Sequence, residues 1–223
     1  VTKRLPTGEE VYDQIPLTAN DLLNPQLEDQ VPQRDEHLQP LVDLIGSLKT
    51  RYAKDPTMGV FSDLIMDWGI PGLAKPAPDI AIVPQLKRKH VGRSSFKVVQ
   101  EGTRPCLVIE VMSPNYPGDD TDKMDIYSQA GIAEYFLIKP YLAQELPHYE
   151  LRGYRLEQGV YQPIAEDNWG RVLSQTLQLW FAVENQGRQV RLTEVRTVRR
   201  LLTQTAAEEA RRQEQQARLA AEA

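Results

Sequence analysis

Cysteine, histidine and aromatic residues are scarce in this chain. Its 223 residues include one cysteine and three histidines, and 7% are aromatic. The single cysteine, Cys106, excludes an internal disulfide and argues against a cysteine-based zinc site. Both conclusions fit a protein of the reducing cytoplasm. His90 and His148 have no metal-ligand spacing to another histidine or cysteine, so we expect ordinary surface or strand residues there.

Long apolar runs and a strong net charge are also missing. No apolar run is long enough to span a membrane, and the polar start breaks at Pro6, so we expect a cytoplasmic protein without a signal peptide or a membrane partner. The net charge of −5 and the pI near 5.4 argue weakly against nonspecific coating of nucleic acid. A local basic cleft can still exist on an acidic protein.

The most informative stretch is an apolar run that contains one carboxylate. Six of the seven residues from Cys106 to Met112 are apolar, and a turn signal follows at Ser113-Pro114-Asn115, which predicts a central strand apolar on both faces. Glu110 is the exception. The two-residue period places it on one face with Val108 and Met112, so a cation or several donors should compensate its charge.

Candidate partners of Glu110 lie on both sides of it in the sequence. Asp79 opens a second apolar, β-branched run that ends at Val83. Downstream, residues 120–131 predict a short helix with aspartates at its start and Gly131 at its end. Lys123 lies on or beside the apolar stripe of that helix, at helical spacing from Tyr127. The candidate site is therefore Asp79, Glu110 and Lys123.

Two carboxylates and a lysine are suited to phosphodiester hydrolysis. Carboxylates that lie close together repel each other unless a divalent cation bridges them, and hard oxygen ligands suit Mg²⁺. The ion would polarise the phosphate and activate a water, and the lysine would stabilise the developing charge. The sequence thus predicts a nuclease that uses Mg²⁺ or Mn²⁺. A structural alternative is that Asp79 only caps a turn and Lys123 extends to water.

These residues also carry a resemblance to a known family. The chain resembles the Uma-type restriction endonucleases, which have the PD-(D/E)XK nuclease-like fold, over roughly residues 35 to 165. The motifs are Pro78-Asp79, Glu110-Val111-Met112-Ser113-Pro114, Asp120 with Lys123 and Tyr127, and Ala130-Gly131-Ile132-Ala133-Glu134-Tyr135-Phe136. The wider fold group has a lysine two residues after the glutamate, where this chain has Met112. In the family pattern the lysine moves to the following helix, which Lys123 matches.

The resemblance implies further site residues. It implies Asp79 and Glu110 as metal ligands, the backbone carbonyl of Val111 as another ligand, and Lys123 as the catalytic lysine. Asp120 matches a family position beside the lysine but can equally cap the helix. Similar folds add a carboxylate from the first helix and relatives carry a histidine there, so Glu36 and His37 are accessory candidates, although a first-turn residue is usually only solvated.

Composition and periodicity divide the chain into three parts. Residues 1–34, with four prolines, predict an extended lead-in. Residues 35–190 predict the nuclease-like α/β domain: a helix over 35–52, a strand over 60–68, the two apolar strands, a strand over 134–138 and a closing hairpin over 149–164. Residues 191–223 predict a helical extension that could form a coiled coil in a homodimer, or could be a solvated helix without a partner.

A basic run after Pro84 is the candidate nucleic-acid contact. It contains Lys87, Arg88, Lys89 and Arg93, which could meet the phosphates of DNA. A solvated connecting segment is an equally good interpretation, and no aromatic residue interleaves the run to support base stacking. The competing function, from another class, is a noncatalytic nucleic-acid-binding or assembly module on the same fold.

Overall fold

The computed structural model describes residues 2–4, 10–12, 35–112, 119–143, 146–203, 206, 212–213 and 215–216, and for 2–4, 10–12, 35–40, 119–121, 142–143 and 146–147 it describes the backbone. The helices are α1 (Asp35–Arg51), α2 (Val98–Glu101) and α3 (Asp119–Gln129). The strands are β1 (Thr2–Arg4), β2 (Glu10–Tyr12), β3 (Gly59–Phe61), β4 (Ile65–Asp67), β5 (Ile80–Val83), β6 (Ser95–Lys97), β7 (Leu107–Val111), β8 (Glu134–Ala143), β9 (Leu146–Glu157), β10 (Val160–Pro163), β11 (Arg171–Ser174), β12 (Leu179–Glu184) and β13 (Gln189–Glu194).

The core is a mixed six-stranded sheet in the order β10-β9-β8-β7-β5-β3. Strands β3, β5 and β7 form an antiparallel meander, and β8 then pairs in parallel with β7 after the crossover through α3. Among the strands of this sheet and the helices α1 and α3, the chain order is α1, β3, β5, β7, α3, β8, and this is a mixed α/β arrangement, as predicted from the sequence. The predicted strands around Glu110 and after Asp79 and the predicted helix around Lys123 are confirmed.

Both faces of the central strands are covered. All five residues of β7 and all four of β5 are buried. On one face, Leu48 of α1 and Phe181 of β12 join the cluster that contains Ile109. On the other face, Ile126 of α3 joins the cluster that contains Val108. This two-sided burial explains the nearly continuous apolar runs of β5 and β7.

A second sheet, β11-β12-β13, is tied to the first by a buried carboxylate. Glu134, at the start of β8, is fully buried. It accepts hydrogen bonds from Ser174 Oγ at 2.6 Å, from Thr176 Oγ1 at 2.7 Å and from the amide of Gln175 at 2.8 Å, and it pairs with Arg155 at 3.3 Å. These donors satisfy the buried charge and hold the turn after β11 against β8.

Two sequence predictions differ from the observed strands. The single strand predicted over 60–68 is wrong: β3 and β4 are separate strands, because Asp63 between them has a φ of 49° and β4 pairs with β6 instead. Residues 191–194, predicted as the start of the helical extension, belong to β13, where Val190 and Leu192 are buried by alternation. Residues 195–203 are turns and irregular structure with a bridge at Arg200, so the predicted helix is wrong there as well. Beyond them the structure describes helix at 206, 212–213 and 215–216, so a helix over the remaining residues and a homodimer through it stay predictions, as does the three-part division of the chain.

No helix in the described ranges is long and apolar enough to cross a membrane. Of the lead-in, the structure describes the antiparallel pair β1 and β2.

Candidate active site

The meander brings acidic residues to one end of the sheet. Strands β5 and β7 are antiparallel, with Ile80 opposite Ile109, and the same register places Asp79 opposite Glu110. Strands β3 and β5 pair Phe61 with Ala81, and Asp63 follows two residues after β3, in the turn beside Pro78 and Asp79. Since opposite residues of antiparallel strands share a face, Asp79 and Glu110 lie together at one edge of the sheet, and Asp63 is near enough to feel the charge of Glu110 and to act on Asp79.

Glu110 is a buried carboxylate held by two donors from α3. Its side chain is 3% exposed and lies on the sheet face that α3 covers. Lys123 Nζ donates to Glu110 Oε2 at 3.2 Å, and the hydroxyl of Tyr127 donates to Glu110 Oε1 at 2.5 Å. Because the two donors are four residues apart on one helix, they reach the two oxygens of the same carboxylate. The cation and donor that the sequence required of Glu110 are therefore both present.

Asp79 lies beside Glu110 and carries an unfavourable charge. Its Oδ2 accepts a hydrogen bond from the amide of Val111 at 2.7 Å, which fixes the carboxyl against the end of β7. Burial, and then the negative charge of Glu110, raise the pKa of Asp79 well above its usual range, although the Val111 hydrogen bond and Lys123 act in the opposite direction. Asp79 and Glu110 thus face each other at this edge, and the positive charge of Lys123 does not fully offset the effect of burial and of their mutual repulsion on Asp79.

Asp63 is a third acidic residue of this edge, and the sequence reasoning missed it. It is exposed in the turn after β3, and its amide donates to the carbonyl of Pro78 at 3.2 Å, directly before Asp79. Shielding by the surrounding protein, and then the charge of Glu110, raise the pKa of its carboxyl. No local pattern identifies Asp63, because its closeness to Asp79 depends on the pairing of β3 with β5.

The accessory candidates are placed only in part. Glu36 and His37 lie in the first turn of α1 and Asp120 in the first turn of α3, but their side chains fall outside the described residues. Met112, at the position of the lysine in the wider fold group, packs against the core cluster on the α3 face. The positive charge beside Glu110 therefore comes from Lys123 of α3, because the nearby position in the chain after β7 is the apolar Met112.

The basic run lies at the opposite end of β5 from the acidic residues. Strand β5, about 13 Å long at 3.3 Å per residue, lies between Asp79 and the start of the run. Lys89 Nζ donates to the carbonyls of Tyr52 and Asp55, beyond the end of α1. Arg93 pairs with Glu101 at 2.7 Å and its side chain is 6% exposed. Lys87 and Arg88 are exposed.

The donor chemistry of the acidic edge fits a hard divalent cation. In the part of the chain that the structure describes, no cluster of three or more histidine, cysteine, aspartate or glutamate side chains could by itself hold a metal ion. Asp79 and Glu110 nevertheless offer two carboxylates whose mutual repulsion a cation would relieve, and Asp79 uses only Oδ2 for Val111. A Mg²⁺ site needs only one or two carboxylates, because the ion keeps several waters.

Comparison with known proteins identifies the family. The sequence profile named Uma2 and described as "Putative restriction endonuclease" matches residues 9–184, which is most of the chain. The chain belongs to the Uma2 family. This confirms the resemblance recognised from the motifs around Asp79, Glu110 and Lys123, and it makes the chain a nuclease-like protein.

Among solved structures, this Uma2 family member is similar to a chain described as a putative nuclease belonging to DUF820 from Anabaena variabilis. The two are 16% identical, the likeness covers 72% of this chain and 90% of that chain, and the TM-score is 0.49. No curated protein matches the chain.

Proposed function

We propose that this protein is a metal-dependent endonuclease that hydrolyses phosphodiester bonds in DNA. The observation that carries the proposal is the contact between Lys123 and Glu110, at 3.2 Å, beside an Asp79 that faces the same glutamate. The side chains of Glu110 and Lys123 are only 3% and 19% exposed. Burying this ion pair between a strand and a helix costs desolvation free energy, which a purely structural role does not require.

In the proposed site, Asp79, Glu110 and the carbonyl of Val111 would hold Mg²⁺ or Mn²⁺. When bound, the ion supplies Lewis-acid polarisation of the phosphate and a more acidic water. The chain's own residues do the rest. The amide of Val111 fixes the orientation of Asp79, and Lys123 keeps a positive charge at Glu110 where negative charge develops on the phosphate oxygens. Catalysis of this kind is mostly positioning and charge stabilisation.

The proposed substrate is DNA, as the family description suggests. Of the basic run, Lys87 and Arg88 are exposed and can meet phosphates, whereas Lys89 and Arg93 already donate to groups of the same chain. Lys87 and Arg88 follow the far end of β5 from Asp79, so we expect them to meet phosphates other than the scissile one. A cytoplasmic location stays a prediction from the sequence.

The test is cleavage of supercoiled plasmid by the purified protein in Mg²⁺ or Mn²⁺. The matched comparison is the Asp79→Ala, Glu110→Ala double variant, checked by circular dichroism for equal folding. We expect nicking that needs the metal ion and is lost in the double variant. Silence of both proteins on plasmid, single-stranded DNA and RNA, with DNA binding retained, would instead support the noncatalytic binding module.

A further inference from the structure

Tyr127 holds the second oxygen of Glu110. The tyrosine is fully buried, and its hydroxyl donates to Glu110 Oε1 at 2.5 Å, while Lys123 occupies Oε2. The two donors differ in stiffness. Lysine has a flexible four-carbon stem, and this one is 19% exposed, whereas a buried tyrosine has two rotatable bonds and a rigid ring.

The tyrosine ring is itself fixed from two sides. Trp68 meets it edge-on with ring centroids 6.0 Å apart, and Tyr135 lies against it at 5.5 Å. Trp68 is held in turn, because its Nε1 donates to the carbonyl of Ala74 at 2.9 Å. The hydroxyl of Tyr127 therefore cannot leave Glu110 without displacing packed aromatic side chains of the core.

We propose that Tyr127 is a positioning residue of the nuclease site. It acts through Glu110: the hydroxyl keeps the carboxylate in one orientation toward Asp79, so that the pair is ready for a divalent cation before the cation arrives. This inference rests on the proposed function. Its physical basis is general, since groups that hydrogen-bond a ligating carboxylate fix its direction and contribute to metal affinity.

The test is the Tyr127→Phe variant, which keeps the ring and its contacts with Trp68 and Tyr135 and removes only the donor. Mn²⁺ binding is measured by isothermal titration calorimetry, and plasmid cleavage is measured as a function of Mn²⁺ concentration. We expect the dissociation constant for Mn²⁺ to rise about tenfold. Half-saturation of cleavage should shift by the same factor, while the rate at saturating Mn²⁺ changes much less.

Tyr161→Phe is the matched control. Tyr161 is also buried, and its hydroxyl donates to the backbone carbonyl of Ile132 at 2.9 Å and not to a carboxylate. This variant should lower the melting temperature without changing Mn²⁺ affinity. If Tyr127→Phe behaves in the same way, its hydroxyl has only a structural role and the inference is overturned.

The outcomes separate this inference from the proposed function. If Tyr127→Phe binds Mn²⁺ as tightly as the wild type, the positioning role is overturned and the proposed nuclease function is unaffected. A wild-type protein that neither binds Mn²⁺ nor cleaves overturns both. If Tyr127→Phe does not fold, Trp68→Phe decides, because loosening the ring's support should weaken Mn²⁺ binding in the same direction but by less.

Discussion

Lys123 Nζ lies 3.2 Å from Glu110 Oε2, although the lysine belongs to α3 and the glutamate to β7. The wider fold group supplies this positive charge from the strand itself, two residues after the glutamate. Here Met112 occupies that position and packs against the core. The charge balance of the site therefore depends on how α3 docks on the sheet.

Lys123→Met should disable the site and weaken the fold slightly. Glu110 would keep the hydrogen bond from Tyr127 but lose the ammonium group of Lys123. A buried charge with one donor fewer lowers the free energy of unfolding by about 1–3 kcal/mol. Loss of a group that stabilises developing charge should reduce cleavage by at least about 100-fold. Urea unfolding and plasmid nicking measure the two effects. The control variant Lys139→Met, which removes an exposed lysine, should change neither stability nor cleavage. Cleavage by Lys123→Met at the wild-type rate would contradict the assigned role of Lys123.

Asp63→Asn should weaken metal binding modestly. The substitution removes a negative charge that acts on both Glu110 and Asp79, and one exposed charge at this range amounts to about 1 kcal/mol or less. We expect half-saturation by Mn²⁺ to rise by about two- to fivefold. Glu157→Gln is the matched control, because Glu157 is exposed at the other end of the sheet. An equal shift in both variants would mean that only net charge matters.

Cys106 should react slowly while the protein is folded. Burial raises the pKa of its thiol from 9.0 to about 11, and its Sγ donates to the carbonyl of Ile82 at 3.4 Å. Below pH 9 the folded protein then has about 100-fold less thiolate than the unfolded chain, and alkylation by iodoacetamide should slow accordingly. The unfolded thiol ionises first as pH rises, so this group's contribution to stability is lost above pH 9. Rapid alkylation at pH 8 without unfolding would contradict this environment.

The sequence predicted the parts of the site that depend on local pattern. The apolar run around Glu110 and the helical spacing of Lys123 and Tyr127 are visible within about ten residues, and the structure has the corresponding strand and helix. The same pattern required a compensating group at Glu110 and offered Lys123 for it, but it left open that the lysine extends to water.

The rest depends on pairing between distant segments. Asp63 reaches the acidic edge through the register of β3 with β5, and nothing near Asp63 in the sequence shows that register. The start of the predicted C-terminal helix became strand β13 because pairing with β12 and burial of Val190 and Leu192 outweigh local helix propensity. The position of the basic run relative to Asp79 was hidden for the same reason, since it depends on which end of β5 each follows.

The central claim is tested most directly by plasmid nicking in Mn²⁺ with the Asp79→Asn variant. The amide keeps the size of the side chain and an oxygen that can accept from the amide of Val111, and it removes a charge that burial and Glu110 disfavour. We therefore expect a melting temperature equal to or above that of the wild type, together with at least about a 100-fold loss of cleavage. Nicking by well-folded Asp79→Asn at the wild-type rate would contradict the assignment of this edge as the active site.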